Sequence, residues 1–336
     1  MTADAAASPR VTLIIVAFNQ EAFIPAAIAG AFAQDYPNLE VILSDDGSTD
    51  STWPLIQRAA ADYQGSHDVS ANQTPANHGL LAHIVHAFGK ATGELIVIGA
   101  GDDVSLPARV ATLARRWRET GADALYSDWQ VIDESGAVVY EGGRRDTPPT
   151  ARWFADGRMT AVAGATAAYS RALLEAIEVP TFPIFIEDFF LSFVLRLRSR
   201  RVERIDAALV QYRRHSASLI NRPLESDDVL AEERRLERFA HSTIPLGRHM
   251  LSMARTGAGV RADFGVPAQL DWRRFEADLR HSFFRADWID RPWYARLAEL
   301  GRQRSTANLR WLVPRLGGLR TLRWQRRISA LLRGRP

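Results

Sequence analysis

Several residue types are missing or scarce in this chain, and each absence excludes a kind of site. None of the 336 residues is cysteine. Disulfides, thiolate metal ligands and a cysteine nucleophile are therefore excluded. No stretch is apolar over the roughly 20 residues that a membrane-spanning helix needs, and the first ten residues lack the apolar core of a signal peptide. We expect a cytoplasmic protein without a spanning helix, and association with the inner face of the membrane is the alternative to a free protein.

Charge is divided unevenly along the chain. Residues 1–150 contain 19 acidic and 9 basic side chains, whereas residues 151–336 contain 20 and 33, so the net charge of +3 hides two opposite halves. The last 36 residues contain ten arginines and no acid. Arginine alternates with Trp and Leu over 308–333, a composition typical of a helix that docks on an anionic membrane surface. The alternatives are a basic helix folded onto the rest of the protein and a nucleic-acid-binding segment, although we expect no nucleic acid as partner.

Strand-like and helix-like segments alternate through the first 120 residues, which predicts an α/β fold with a mostly parallel central sheet and flanking helices. From about Leu224 the pattern is helical throughout. We therefore predict a catalytic domain over 10–220 and a mainly helical region over 221–336, with the boundary near Asn221–Pro223. Two local predictions are less regular. Val202–Arg213 is interpreted as a short strand pair or edge, and residues 141–150 as a loop that either connects passively or covers a site.

Two pairs of aspartates each follow an apolar strand. Asp45 and Asp46 come after Leu39–Ser44, and Asp102 and Asp103 come after Leu95–Ile98. Because open α/β sheets bind ligands at the carboxyl ends of their strands, both pairs are expected in one crevice. Their mutual repulsion would be relieved by a divalent cation and by the donor groups of a nucleotide. The alternative is structural: Asp45, Asp46 and Ser48 would cap the next helix, for which Asp50 or Ser48 is the expected N-cap.

Two other classes of α/β protein fit less well. A receiver domain also gathers acids at this edge of a sheet, but it needs a lysine at a late strand end. Lys90, the only lysine, lies in a turn before Gly93. A nicotinamide oxidoreductase is disfavoured because no Gly-x-Gly-x-x-Gly follows the first strand.

The order of the motifs resembles the family 2 glycosyltransferases, which have the GT-A fold. The resemblance covers about residues 10–215 and rests on six pieces: Val16–Glu21, Ser44–Asp50, Asn77–Gly79, Ala91–Ile96, Gly101–Asp103 with Pro107, and Glu187–Asp188. It implies a nucleotide-diphosphate sugar as donor, with a UDP- or dTDP-sugar expected. The residues that it assigns to nucleotide binding are Ala17, Phe18, Asn19, Asp45, Asp46, Asn77, Gly79, Asp102 and Arg213.

The same resemblance implies a metal site that holds Mn²⁺ or Mg²⁺. Asp103, Asp102 and His215 are the expected ligands, because oxygen ligands on such a cation stabilise a departing diphosphate. This chain departs from the common pattern at Ala100, where family members often carry an acid. The departure leaves open which aspartate touches metal and which touches ribose. A simple turn at Asp102–Asp103 and a surface role for His215 are the alternatives.

Glu187 and Asp188 match the family motif that supplies the catalytic base. The resemblance implies that Asp188 deprotonates the acceptor hydroxyl, while Glu187 orients Asp188 or binds the acceptor. A structural alternative exists, because carboxylates at a helix N-terminus are stabilised by the helix dipole.

Together these features predict an inverting, metal-dependent glycosyltransferase that acts on a saccharide or lipid-linked acceptor in cell-surface polysaccharide or glycolipid assembly. A catalytically inactive, nucleotide-binding relative is the alternative.

Overall fold

The computed structural model describes two parts of the chain, which are treated separately. The described residues are 8–141, 164–178, 187–197, 201–215 and 292–300, together with Val162, Pro180, Ile184, His249, Ser252 and Met253. Those up to residue 253 belong to one compact unit and 292–300 to a second. The predicted boundary at 221–223, residues 142–150 of the predicted loop and the basic segment 308–333 lie outside the described residues. Across the described ranges, no helix has the length and apolar character needed to cross a membrane.

The first half of the first unit alternates between strands and helices, as predicted. Its elements are β1 Val11–Ala17, α1 Ile24–Phe32, β2 Leu39–Asp45, α2 Thr52–Asp62, β3 Asp68–Gln73, α3 Leu80–Phe88 and β4 Leu95–Ala100. Every residue of β1 and β2 is buried. This agrees with their apolar runs, Leu13–Ala17 and Val41–Leu43, since a parallel sheet is covered by helices on both faces.

The second half mixes strand directions. Its elements are β5 Val104–Ser105, α4 Arg109–Thr120, β6 Ala124–Ile132, β7 Val138–Glu141, β8 Ala168–Ser170, α5 Arg171–Glu175, α6 Glu187–Leu197 and β9 Val202–Arg213; the second unit contributes α7 Trp293–Leu300. The prediction of a strand pair over Val202–Arg213 was wrong, because this segment forms one strand. It pairs with β6 along its length, and register shifts around Asp128 accommodate the irregular spacing. The two-residue strand β5 was not predicted.

The strand order places a topological switch point at β1. The sheet runs β3-β2-β1-β4-β8-β6-β9-β5, with β7 attached to β6. The chain moves outward from β1 to β2 and β3, then returns through α3 to β4 on the other side of β1. A crevice opens at the carboxyl end of the strands where the chain direction divides in this way. Both aspartate pairs follow strands that flank this point.

The sheet is curled, and this brings β9 close to β4. β5 begins four residues after β4 ends, yet it pairs with β9, which is separated from β4 by β8 and β6 along the sheet. β8 is antiparallel to both β4 and β6, and β9 is parallel to β6. The carboxyl ends of β1, β2, β4, β6 and β9 therefore lie at the same edge as the amino end of β8.

The start of α2 differs from the predicted cap. The N-cap residue is Ser51, and its side chain makes no capping hydrogen bond. Asp50 Oδ1 instead accepts from the N–H of Thr52 at 2.9 Å, while Asp50 Oδ2 accepts from the N–H of Glu21 at 3.1 Å. Asp50 therefore supports both the first turn of α2 and the loop after β1.

Candidate functional site

Asp45 is fully buried, and its carboxylate serves the turn that follows β2. The Ser48 hydroxyl donates to Oδ1, the Ser48 N–H donates to Oδ2 at 2.9 Å, and the Gln73 amide donates to Oδ2 at 2.8 Å. These contacts tie β2 to β3 and shape the Asp-Asp-Gly turn. Asp45 therefore receives three donors from the turn after β2 and from β3.

Asp46 connects three chain segments at the switch point. Its N–H donates to the Ala17 carbonyl at 2.8 Å. Its Oδ1 accepts from the Thr74 hydroxyl at 3.1 Å and from the N–H of His78 at 2.9 Å, while Oδ2 accepts from the N–H of Gly79 at 3.1 Å. Oδ2 therefore has one protein donor and retains capacity for a donor from a ligand.

The loop after β1 is fastened to the loop after β2 by paired hydrogen bonds. Asn19 N–H donates to the Ser48 hydroxyl and Thr49 N–H donates to Asn19 Oδ1, both at 2.8 Å. Asn19 adopts a φ of 51°, a left-handed conformation that asparagine tolerates better than most residues. Ala17 is buried beneath the loop and Phe18 is 42% exposed at its tip. The three residues predicted to form a pocket wall are thus held rigidly beside Asp46.

The segment before α3 packs directly on the Asp-Asp-Gly turn. Gly47 has a φ of 71°, and a Cβ there would lie 2.6 Å from the carbonyl carbon of Ala76. Asn77 Oδ1 accepts from the N–H of Gly79 at 3.0 Å. Gly79 itself has a φ of 85° and open space where a side chain would be. Asn77 and Gly79, both predicted to meet the nucleotide, therefore lie at the same edge as Asp46.

Asp102 and Asp103 point into different surroundings. Asp102 Oδ2 lies 3.0 Å from His215 Nε2, and the Asp102 side chain is 20% exposed. Asp103 is buried, and its Oδ1 accepts from the N–H of Arg213 at 2.8 Å. Burial, and then the nearby Asp102, raise the pKa of Asp103 well above its usual range. Asp102 and His215 are thus the two predicted ligands that are already adjacent.

Of the three predicted metal ligands, Asp103 accepts the N–H of Arg213, and Asp102 and His215 form the adjacent pair. No group of three His, Cys, Asp or Glu side chains arranged for a metal ion occurs within the residues that the structure describes. Asp102 and His215 alone supply a carboxylate oxygen and an imidazole nitrogen 3.0 Å apart, a donor pair compatible with Mn²⁺ when the diphosphate completes the coordination. These two residues fit a metal held jointly with its substrate.

Arg213 lies where its guanidinium serves the protein rather than a phosphate. It is 5% exposed. Its Nε donates to the Asp102 carbonyl, and its Nη1 to the carbonyls of Asp133 and Glu134, all at 2.9 Å. Arg213 thereby joins the turn after β4 to the turn after β6. The neighbouring Arg214 is exposed, with its guanidinium 5.3 Å from the centre of the Tyr140 ring, so of the two arginines Arg214 is the one accessible to an anion.

Glu187 and Asp188 open α6 beside the amino end of β8. Asp188 Oδ2 lies 3.4 Å from the amide nitrogen of Gly164. A Cβ on Gly164 would collide with Glu187 Oε1, so a larger residue there would displace the Glu187 carboxyl group. Burial, and then Asp188, raise the pKa of Glu187 to about 8. A carboxyl group with such a pKa is largely protonated at neutral pH.

Tyr169 lies near the acidic pair Glu187 and Asp188. It is 1% exposed, and its hydroxyl has no hydrogen-bond partner among the described residues. Burial, and then Glu187 and Asp188, raise its pKa well above the usual range. Buried polar groups normally have hydrogen-bond partners. The Tyr169 hydroxyl is therefore a hydrogen-bond donor that remains available near Glu187 and Asp188.

The aspartates after β4 and the acids of α6 lie at the same edge of the sheet, because Asp188 contacts Gly164 and the N–H of Ile98 in β4 donates to the Ala167 carbonyl at 3.0 Å. Burial raises the pKa of Tyr212 to about 12, and Asp103, Asp102 and Asp188 each contribute to the increase. Asp46 follows β2 on the other side of β1, so its backbone lies about 10 Å from that of Gly101, twice the spacing of neighbouring strands. The two aspartate pairs are therefore about two strand spacings apart along this edge of the sheet.

Two buried residues at the site belong to no predicted motif, so the sequence did not single them out. His83 contacts Asp46, with 3.3 Å between Nδ1 and Oδ1. Arg109 is fully buried and donates to the Ile98 carbonyl at 2.6 Å and to the Ala165 carbonyl at 3.0 Å. Of the two, Arg109 offered a signal, since a charged residue on the apolar face of an amphipathic helix requires partners.

Comparison with known proteins agrees with this arrangement. Residues 12–178 match the family model described as Glycosyl transferase family 2. The first unit is a family 2 glycosyltransferase domain. This glycosyltransferase domain is 36% identical over 102 residues to "Putative glycosyltransferase EpsE" of Bacillus subtilis, covering 30% of this chain and 36% of that protein. It is 44% identical over 48 residues to "UDP-Glc:alpha-D-GlcNAc-diphosphoundecaprenol beta-1,3-glucosyltransferase WfaP" of Escherichia coli, covering 14% of this chain and 19% of that protein.

The matches thus span about a third or less of the length of these two relatives. A solved structure of "Mannosyltransferase PcManGT from Pyrobaculum calidifontis in complex with GDP-Man and Mn2+" aligns with a TM-score of 0.54 at 18% identity. The alignment covers 84% of this chain and 72% of that one. At this identity the likeness concerns the fold. The glycosyltransferase domain has the GT-A fold, as the motif order implied.

Proposed function

We propose that this protein transfers a sugar from a nucleotide-diphosphate donor to a hydroxyl group of a saccharide or lipid-linked acceptor, with inversion at the anomeric carbon. The observation that carries the proposal is the Asp102–His215 pair, 3.0 Å apart, at the edge of the sheet where α6 begins. Diphosphate binding and base catalysis require acidic residues on two sides of one reacting bond. Asp188 contacts Gly164, and the turn from Gly164 to Ala167 is bonded to the end of β4 through the N–H of Ile98.

Donor binding is assigned to the edge between β2 and β4. Asp46 Oδ2 accepts an N–H of the base, with charge assistance from the carboxylate. Ala17, Phe18 and Asn19 form the wall on one side, and Asn77 and Gly79 approach from the other. We expect a uridine or deoxythymidine nucleotide. The relative WfaP is named for UDP-Glc, which favours uridine. A guanosine nucleotide belongs in the test panel because PcManGT was solved with GDP-Man.

Metal dependence is part of the proposal. Asp102 and His215 would hold Mn²⁺ or Mg²⁺ together with the donor diphosphate. Asp103 would support their positions by accepting the N–H of Arg213. When bound, such an ion neutralises the charge that develops on the departing diphosphate. Arg214 lies next to His215 in the chain and supplies an accessible positive charge near the same phosphates.

Asp188 is assigned as the base that takes the proton of the acceptor hydroxyl. Glu187 carries a proton at neutral pH because burial raises its pKa, so it reduces the repulsion on Asp188 and can donate a hydrogen bond. Deprotonation by Asp188 lets the acceptor oxygen attack the anomeric carbon on the face opposite the nucleotide. The bond to the diphosphate oxygen breaks as the new glycosidic bond forms, which inverts the anomeric configuration.

A panel of UDP-, dTDP- and GDP-sugars with Mn²⁺ tests the proposal. Mass spectrometry would detect donor hydrolysis or transfer, and proton NMR would give the anomer of the product. We expect one donor to be consumed. Asp102→Ala should abolish the turnover that depends on Mn²⁺. No binding of any nucleotide in the panel would contradict the proposal, whereas binding without turnover would favour an inactive nucleotide-binding relative, for which Ala100 is the motivating feature.

Contact with the cytoplasmic face of a membrane is the remaining part of the proposal. On α7, Trp293, Tyr294 and Leu297 are 67, 63 and 47% exposed, and their spacing places them on one helical face. Aromatic side chains beside arginine suit the interface of an anionic bilayer. Sedimentation with phosphatidylglycerol vesicles tests this. Pelleting with phosphatidylcholine vesicles at the same level would contradict an electrostatic contribution.

A further inference from the structure

His83 lies in the second turn of α3, directly beneath the end of β2. It is 1% exposed, and its Nδ1 lies 3.3 Å from Asp46 Oδ1. The Ser44 carbonyl is a second polar neighbour of the ring, although neither ring nitrogen has a well-aligned hydrogen bond among the described residues. The ring therefore touches the carboxylate that we assign to the nucleotide base, and it touches it from the protein interior.

The contacts of Asp46 distinguish its two oxygens. Oδ1 receives the Thr74 hydroxyl and the N–H of His78, and His83 Nδ1 lies against the same oxygen. Oδ2 receives only the N–H of Gly79. A carboxylate oxygen accepts about two hydrogen bonds, so Oδ1 is saturated by the protein and Oδ2 remains available. A rotation of the carboxylate would exchange these roles, and His83 occupies the space on the Oδ1 side.

A histidine is an unfavourable choice for a position that only needs filling. Its neighbours on the buried face of α3 are Leu81 and Ile84, which carry no polar atoms. An imidazole nitrogen buried without an aligned partner costs free energy that a leucine would avoid. Burial lowers the pKa of His83, although the Ser44 carbonyl and Asp46 act in the opposite direction. The ring is therefore neutral at physiological pH and presents a dipole, not a charge, to Asp46.

We propose that His83 is a positioning residue that holds Asp46 with Oδ2 directed at the nucleotide base. The inference rests on the proposed donor-binding function and names the group that orients its base-binding carboxylate. If His83 has this role, its substitution changes only the binding of the nucleoside part of the donor. Binding of the diphosphate, about 10 Å away beyond β1, should be indifferent to it.

Three variants test this. His83→Leu fills the space and removes the polar contact, and His83→Asn keeps a donor where Nδ1 lies. His86→Leu is the control, because it removes the exposed imidazole stacked 6.3 Å from the His83 ring and leaves the contact between His83 and Asp46 in place. Calorimetry would give Kd in the presence of Mn²⁺ for UDP, dTDP, GDP and inorganic pyrophosphate. Steady-state kinetics would give KM and kcat for the donor that wild type consumes.

We expect His83→Leu to raise the Kd of the preferred nucleoside diphosphate and the donor KM about tenfold, equivalent to about 1.4 kcal/mol, while pyrophosphate binding and kcat stay within twofold. His83→Asn should recover most of the affinity, and His86→Leu should match wild type. General damage to the fold would lower Tm and would weaken pyrophosphate binding as well. Thermal melting therefore distinguishes such damage from a specific loss of nucleoside diphosphate affinity.

Two results would overturn the inference while leaving the proposed function intact. One is an unchanged nucleotide Kd in both His83 variants. The other is an equal loss of nucleotide and pyrophosphate affinity in both. If wild type binds none of the nucleoside diphosphates, the proposed function fails and the inference fails with it.

Discussion

Glu187→Gln is the most informative perturbation of the proposed catalytic pair. In the folded protein the pKa of Glu187 is raised from 4.5 to about 8 by burial and by Asp188. Glutamine has nearly the shape of a protonated glutamic acid and cannot ionise. If Glu187 works as a neutral acid, the variant should resemble wild type at pH 7. If it works as a carboxylate, the variant should be inactive.

The stability consequence follows from linkage between protonation and folding. Because the pKa is higher in the folded protein than in the unfolded chain, folding favours the bound proton. The resulting stabilisation is complete below about pH 4.5 and is lost as the pH rises through 8. Between pH 7 and pH 9 the loss from this group is about 1.4 kcal/mol. At about 2–4 °C per kcal/mol, Tm should fall by about 3–6 °C over this interval.

The assay is thermal unfolding followed by circular dichroism from pH 5 to pH 9, with turnover at pH 7. We expect Glu187→Gln to lose this part of the pH dependence and to keep kcat within about fivefold of wild type. Glu175→Gln is the control, since Glu175 is an exposed acid whose ion pair with Arg171 is a weak 3.5 Å contact. The reasoning is refuted if Glu187→Gln keeps the wild-type slope of Tm against pH, or if its turnover at pH 7 falls as far as that of Asp188→Asn.

Three further perturbations follow from the geometry. Asp188→Asn should lower kcat by about 10²–10⁴ without changing the Kd of the nucleoside diphosphate; unchanged turnover would remove Asp188 from the base role. Gly47→Ala should cost about 1–3 kcal/mol in chemical denaturation, because the new Cβ would meet the Ala76 carbonyl carbon at 2.6 Å in a left-handed conformation. Gly136→Ala is a matched comparison, since its φ is also positive but its nearest neighbour would be 3.7 Å away. Arg109→Met should destabilise by about 3–5 kcal/mol, since the buried carbonyls and Asp103 lose their cation, and a loss below 1 kcal/mol would contradict that account.

The alternation of apolar strands and helices could be predicted because its causes are local. Both faces of β1 and β2 are covered and both strands contain apolar runs, and turn residues separate them from the helices. The prediction of a short strand pair or edge was wrong at Val202–Arg213, which forms one strand paired on both sides. That strand is held by pairing with β6, 78 or more residues earlier, and such a long-range partner leaves no local trace in the sequence.

The division of labour within each acidic pair could not be predicted. Asp45 and Asp46 are adjacent and identical in chemistry, yet Asp45 binds Ser48 and Gln73 whereas Asp46 binds the segment from Thr74 to Gly79. Likewise, the sequence offered Arg213 as a phosphate ligand, but the turns after β4 and β6 meet around its guanidinium and use its donors.

The residue types and their order along the chain were sufficient to predict an acidic, nucleotide-binding edge on an α/β sheet, because carboxylates after parallel strands must gather there. Folding adds the distances between those carboxylates. His215 reaches Asp102 because the sheet curls until β5 pairs with β9, and curvature depends on strand pairing over more than 100 residues. Burial is decided in the same way: Glu187 holds its proton because of what packs around it, and no neighbouring letter of the sequence specifies that packing.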